Sequence, residues 1–328
     1  MTTFEILKEL NKCFGPSGNE KEIAAKIKRL VRPYADEIKT DVMGNLIVHK
    51  KGNGPKLMIA AHMDSIGFIV THIEKDGLLR IGMVGGIHPD DVLATPVRFA
   101  NGVVGTIYEN GGAKKREIDS MFIDIGAKDE KEATAMVSVG DMAVYNTPTL
   151  MLGENRVASP YLDNRAGCVA AILAIQQIKK VYYDTYFVFT VQEELGLRGA
   201  KPAAFGIEPE YAIVADTTLV DDTPNANHVG TSVLGGGAAV KVMDKSVICN
   251  PEMVEKIMAL AKRKKIKAQL DVLRAGGTDA GEMRVSGSGV WTGGISVATR
   301  YIHSPGEVCQ LSDIEDAGAL MAAFAATK

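Results

Sequence analysis

The chain has 328 residues, more than one hydrophobic core ordinarily fills, so its length points to a large domain with a smaller companion. Hydrophobic residues make up 46% against 23% charged, which excludes a disordered chain, and a formal net charge of −3 lacks the basic balance that nucleic-acid binding asks for. No stretch approaches about 18 uninterrupted apolar residues, the N-terminus lacks the apolar run of a secretory signal, and Cys13, Cys168, Cys249 and Cys309 lie too far apart for a disulfide framework. A cytoplasmic protein with no membrane and no nucleic-acid partner is the expectation.

Taken in order, Phe4, Leu7 and Leu10 share one face of a helix over residues 3–13, which Gly15-Pro16-Ser17-Gly18 stops. Asn19 is the expected N-cap of a second helix carrying Ile23, Ile27, Leu30 and Val31. Short strands follow at residues 37–41 and 46–49, and an apolar strand over residues 56–61 runs straight into His62-Met63-Asp64. From Gly67 the texture changes to short alternating strands (residues 68–73, 78–81, 97–99 and 103–108) separated by glycines, with scarcely any helical periodicity before Ser159. That pattern predicts an antiparallel, barrel-like insert of some ninety residues. Helix and strand then alternate again: an alanine-rich helix over 165–179, a strand over 186–191, a buried strand over 211–215 ending in Asp216, and a strand over 238–242. A helix over 251–265 follows, its basic run Lys262-Arg263-Lys264-Lys265 decorating one face, then a strand over 268–273, the glycine-rich stretch 275–281, and a closing helix over 313–326.

The chemistry concentrates where Phe187-Val188-Phe189-Thr190-Val191 ends in Gln192-Glu193-Glu194-Leu195-Gly196. A short β-branched and aromatic run of this kind reads as a buried strand of a mostly parallel sheet, and ligands bind at the carboxyl ends of such strands. Neighbours on extended chain point to opposite sides, so one of the two glutamates can hold a cation while the other faces whatever that cation activates. Two further apolar strands terminate in His62/Asp64 and in Asp216, Asp163 opens a helix, and His303 stands in a proline turn. Singly, each has an ordinary explanation, such as a helix cap or a turn acid. Together they form the histidine and carboxylate set that borderline divalent metals take. His62 and Asp64 are two apart on extended chain and project to one side, which suits an aspartate that accepts the second ring N–H of a metal-bound histidine. Two divalent ions together with one hydroxide would balance the charge of Asp163, Glu194 and Asp216 with neutral histidines, whereas one ion would leave the acids underneutralised.

In these residues the chain resembles the tetrahedral and glutamyl aminopeptidases, metallopeptidase family forty-two. The resemblance rests on Ala61-His62-Met63-Asp64, Leu162-Asp163-Asn164-Arg165-Ala166-Gly167, Gln192-Glu193-Glu194-Leu195-Gly196 with Gly199-Ala200, Val214-Ala215-Asp216 and Arg300-Tyr301-Ile302-His303-Ser304-Pro305, supported by Gly15-Pro16-Ser17-Gly18 and Gly276-Gly277-Thr278-Asp279-Ala280. It runs from end to end; Ser65 stands where the family usually has an acid. It implies an α/β fold, a doubly wound mixed sheet with helices on both faces like the zinc peptidases, made by residues 1–66 and 158–328. Residues 67–157 would be an inserted β-barrel-like lid and dimerisation domain. It also implies two divalent metal ions per subunit, zinc first and cobalt or manganese as alternatives. Asp163 would bridge them, His62 and Asp216 completing one and Glu194 and His303 the other, with Glu193 as the general base for a metal-bridging water and Asp64 orienting His62. Short peptides would be the substrates, and homo-oligomers, a dimer or a tetrahedral dodecamer, the assembly. Competing readings are a metal amidohydrolase that removes acyl groups or C-terminal residues, a metal-independent glucanase, which a single Trp equips poorly for sugar stacking, and a metal-stabilised assembly subunit.

Overall fold

Three neighbouring parallel strands carry the ends on which everything else is built. Strand Lys56–His62 lies between Asp184–Thr190 and Tyr211–Val214, pairing parallel with both, and Thr190 stands directly opposite His62. The residues between are buried almost without interruption, because a parallel sheet covered on both faces has no solvent side. All three strands therefore deliver their carboxyl ends to one edge. The computed structural model describes residues 1–111, 116–224 and 226–328.

These strands sit in a twelve-stranded mixed sheet that runs Glu37–Thr40, Leu46–Lys50, Asp184–Thr190, Lys56–His62, Tyr211–Val214, Trp291–Arg300, Glu307–Gln310, Arg156–Ser159, Leu150–Leu152. Thr217–Leu219 and Ala238–Met243 also pair with the long strand Trp291–Arg300, and Ala268–Val272 pairs beyond Ala238–Met243. Helices cover both faces. Helix Leu162–Gln177 packs against Leu311–Ala326 and the two N-terminal helices, while Ala200–Ile207 and Ala280–Arg284 pack together over the central strands. Helix Leu162–Gln177 is apolar nearly all round, as a helix between sheet and outer helices must be, and Cys168 is buried in it as its apolar setting predicts. Among the described residues no helix is long and apolar enough to cross a membrane.

The insert is a closed barrel of six antiparallel strands: Gly67–Ile73, Leu79–Val84, Met121–Asp124, Val104–Glu109, Pro96–Phe99 and Met142–Tyr145, the last pairing back onto the first. Closure leaves no free edge, and alternate residues fill the inside with Phe68, Phe99, Ile107, Ile123 and Tyr145. One element departs from the sequence reading. Residues Glu130–Met136 form a short helix inside this stretch, although only Ala133 of it is buried, so no apolar periodicity marks it. The readable signal is its cap: Asp129 accepts from the Glu132 N–H at 2.8 Å, and Glu132 accepts back from the Lys128 N–H.

A second departure lies at the N-terminus. Asn19 is exposed and does not cap the second helix, which begins at Lys21 after Glu20, with no side-chain cap. Glu20 is instead buried and accepts from the N–H groups of Gly18 and Gln192, which joins the N-terminal loop to the turn that carries Glu193. Asn45 closes the other side of that turn, accepting from the Val191 N–H and donating to the Gly199 carbonyl. Gly199 fits there because a Cβ would come within 2.4 Å of Asn45 Oδ1 and 2.5 Å of the Val191 carbonyl. Gly199→Ala should therefore lower unfolding free energy by about 2 kcal/mol through overpacking, read from urea denaturation; unchanged stability would mean the turn has room that these contacts deny it.

Candidate metal centre

Several segments meet above the strand ends. His62 is the last residue of its strand and is buried. After Thr190 the chain turns through Gln192, Gly196 and Leu197, all with positive φ, so Glu193 and Glu194 lie in a turn rather than on extended chain. Their backbone N–H groups donate to Asp64 at 3.1 and 3.2 Å, and the Ser17 hydroxyl donates to the same carboxylate at 2.6 Å. Asp64 thus fixes the glutamate turn as well as facing His62, whose Nδ1 stands 3.5 Å from its Oδ1. Ser65 takes no part in the centre; it pairs with the N-terminal loop, donating its N–H to Gly15 and accepting from the Ser17 N–H.

Asp163 does not behave as a helix cap. It has non-helical backbone angles and comes two residues after Tyr161, which is in the left-handed region. His303 is likewise left-handed, at φ 69°. Non-glycine residues hold such conformations where surrounding contacts force them, most often at functional sites. Here one side chain does the forcing: buried Glu307 accepts the Asp163 N–H on one oxygen and the His303 N–H on the other, each at 2.8 Å.

The result brings together every residue singled out in the sequence. Asp163 reaches both histidines, Oδ1 standing 3.1 Å from His62 Nε2 and Oδ2 3.4 Å from His303 Nε2. Asp216 Oδ1 is 3.5 Å from His62 Nε2, and Glu194 Oε2 is 3.2 Å from His303 Nε2. Ligand atoms of His62, Asp163 and Glu194 lie within 4.8 Å of one another, as do those of His62, Glu193 and Asp216. Nitrogen and oxygen donors about 2.0–2.2 Å from a tetrahedral cation stand about 3.3–3.6 Å apart. The spacings above fall close to that range, and buried Glu194 Oε1 has no hydrogen-bond partner among the described residues, so the donor set fits divalent cations.

Electrostatics agree. Burial pulls His62 down, but Glu193, Asp216 and Asp163 opposite it hold its ring well above the ordinary histidine value. Burial likewise opposes protonation of His303, yet Glu194 and Asp163 push it up to about 12. Burial raises Glu193 well above an ordinary glutamate, reinforced by Asp216 and Asp279, and raises Glu194 and Asp216 too. Asp163 is depressed, its burial outweighed by the two histidines, and Asp64 is lowered too, its burial outweighed by His62, the Ser17 hydroxyl and the Glu193 N–H.

Residues outside the sequence reading complete the site. Glu307 is the foremost, and only its place four residues beyond His303 hints at it. Asp279, which the sequence marks only as part of a supporting motif and with no role, is buried and accepts from Thr190 Oγ1 at 2.5 Å, and residues 275–278 before it line the cavity. From the barrel, Gly85 and Gly86 press so close that a Cβ would lie 3.2 Å from Glu194 Cβ and 3.3 Å from His303 Nδ1 respectively. The cavity above these groups encloses about 570 Å³.

A sequence profile described as M42 glutamyl aminopeptidase matches residues 44–320. A protein of Acetivibrio thermocellus, provisionally named an aminopeptidase, is 45% identical over 97% of both chains. Among solved structures, an aminopeptidase of the archaeon Desulfurococcus kamchatkensis superposes with a TM-score of 0.96 at 37% identity, covering 99% of this chain and 95% of its own. A peptidase of Pyrococcus horikoshii, described as assembling into a tetrahedron or a large octahedral shell, covers all of both chains at 32% identity with a TM-score of 0.90.

Two outcomes test the centre. Glu307→Ala should weaken divalent-cation binding about 10–100-fold by freeing the Asp163 and His303 backbones, measured by competition with a chromophoric chelator; unchanged affinity would reduce Glu307 to packing. Because both histidines are pushed up and must be neutral to ligate, cation binding should release protons and weaken as pH falls. Calorimetry in buffers of different ionisation enthalpy reads that release, and buffer-independent heats would contradict it.

Proposed function

The chain belongs to the M42 glutamyl aminopeptidase family and is a peptide-bond hydrolase, and from that premise we propose that it removes N-terminal residues from short peptides at a two-cation centre. The observation that carries this reading is Asp163, whose two oxygens face two different histidines from opposite ends of the chain's length. In this reading Asp163 would contribute to holding both ions, with His62 and Asp216 on one side of it and Glu194 and His303 on the other. The ions, zinc first and cobalt or manganese as alternatives, supply a more acidic water and polarise the scissile carbonyl when bound.

The protein's own side chains do the rest. Glu193, raised by burial among anionic neighbours, takes the proton of the attacking water and delivers it to the departing amine nitrogen. Asp64 holds the Glu193 and Glu194 backbones and faces His62, so it keeps base and ligands in one frame. The barrel stretch, residues 67–157, serves as lid and dimerisation domain on the body made by residues 1–66 and 158–328; the approach of Gly85 and Gly86 to Glu194 and His303 supports the lid role. Assembly into a closed homo-oligomer follows the Pyrococcus horikoshii relative. Four unpaired, buried cysteines suit a reducing cytoplasm.

Glu193→Gln should retain both cations while kcat on an aminoacyl anilide falls about 10²–10⁴-fold, with elemental analysis run beside the assay. Loss of one cation from this variant would recast Glu193 as a ligand on the His62 and Asp216 side, and full activity would remove it from the chemistry. Chelation should abolish turnover and added zinc, cobalt or manganese restore it; activity that survives complete cation removal would end the two-cation reading.

A further inference from the structure

On the reading of the site just proposed, we infer that the cavity accepts a neutral, apolar N-terminal side chain of leucine or methionine size and discriminates against lysine and glutamate. Beyond the six ionisable residues gathered at the centre, the described residues lining the cavity carry no charged side chain. One wall is Leu219 and Leu273, another is Ala275-Gly276-Gly277, and Ile302 closes the side next to His303. A leucine or methionine entering this space exchanges water for apolar surface. Away from the centre a lysine ammonium or a glutamate carboxylate would find no opposite charge among the described lining residues, only the hydroxyls of Thr217 and Thr278.

Several charged groups near these walls are already engaged. Lys241 and Asp271, both fully buried, pair at 2.7 Å. Asp271 also accepts from Thr218 Oγ1 and Ser232 Oγ. These bonds tie strand Thr217–Leu219 to strand Ala268–Val272, and so fix where Leu219 and Leu273 stand. The Arg274 guanidinium donates to the His228 carbonyl at 2.9 Å, and Arg198 Nε donates to the Leu195 carbonyl at 3.1 Å. Neither side chain lines the cavity. At Gly276 an added Cβ would meet nothing nearer than Leu273 Cδ2 at 4.0 Å, so this part of the loop is uncrowded.

The test is a panel of aminoacyl anilides on the cation-loaded protein, with binding of the amino alcohols of leucine, lysine and glutamate followed by calorimetry. Leucyl and methionyl anilides should exceed lysyl and glutamyl anilides by about a hundredfold in kcat/KM, and the leucine alcohol should bind tightest. Equal or better turnover of the lysyl or glutamyl anilide would overturn the inference. If no anilide is cleaved, the proposed function fails while the amino alcohol ranking still decides the pocket: leucine first supports it, lysine or glutamate first refutes it. Leu219→Asp, which adds a carboxylate to the wall without touching the centre, should shift the leucyl-to-lysyl ratio at least tenfold toward lysyl; an unchanged ratio in the folded, cation-binding variant would place the specificity elsewhere.

Discussion

Charge balance among a few buried side chains governs this molecule. Asp163, Glu193, Glu194 and Asp216 face one another across His62 and His303, with Asp64 buried beside them. Like charges at such spacing in low dielectric repel strongly enough that something positive has to sit among them. Without cations that role falls to protons on the histidines, and this is why their rings are held so far up while Asp163 between them stays ionised. On the proposed two-cation reading the same groups would be the ligands, and protons and metal ions would compete for one set of lone pairs.

Much of the architecture serves to keep that arrangement in place. Three parallel strands supply a rigid edge, but the functional side chains stand on turns just beyond it, and turns need buttresses. Asp64, Ser17 and Glu20 hold the glutamate turn, and Glu307 holds both the Asp163 and the His303 backbone. Left-handed angles at Tyr161, Gln192, Leu197, Tyr301 and His303 record how sharply the chain is bent to bring these atoms together. A buried carboxylate that accepts two backbone N–H groups is well suited to this work, since each bond is charge-assisted.

Sequence alone made a good part of this visible. Apolar runs that stop dead at His62, Glu193 and Asp216 mark buried strands with polar ends, and the loss of helical period after Gly67 marks the barrel. Asp163 and His303 are motif residues, yet their backbones could not be read: nothing in Leu162-Asp163-Asn164 dictates a non-helical turn, because the Asp163 N–H is held by Glu307, distant in sequence, and the same carboxylate holds the His303 N–H from four residues on. Glu20 misled for a related reason. Asn19 has the better capping chemistry, but the long-range bond from Gln192 to Glu20 decided where the helix begins. Helix Glu130–Met136 escaped because periodicity reports burial and this helix has almost none. The local signals were sound, and contacts distant in sequence overrode them.

Gly85 and Gly86 give the barrel a place in the centre itself. They stand so close to Glu194 and His303 that an added Cβ would lie 3.2 and 3.3 Å from them, so one side of the proposed cation site is lined by the segment that follows the barrel's second strand. Any neighbour that grips the barrel consequently holds two ligands steady, and a rocking barrel would loosen them first. Grafting a barrel from a relative onto this body would transplant part of the active centre along with it, and the glycine pair is the seam that such a chimera has to match.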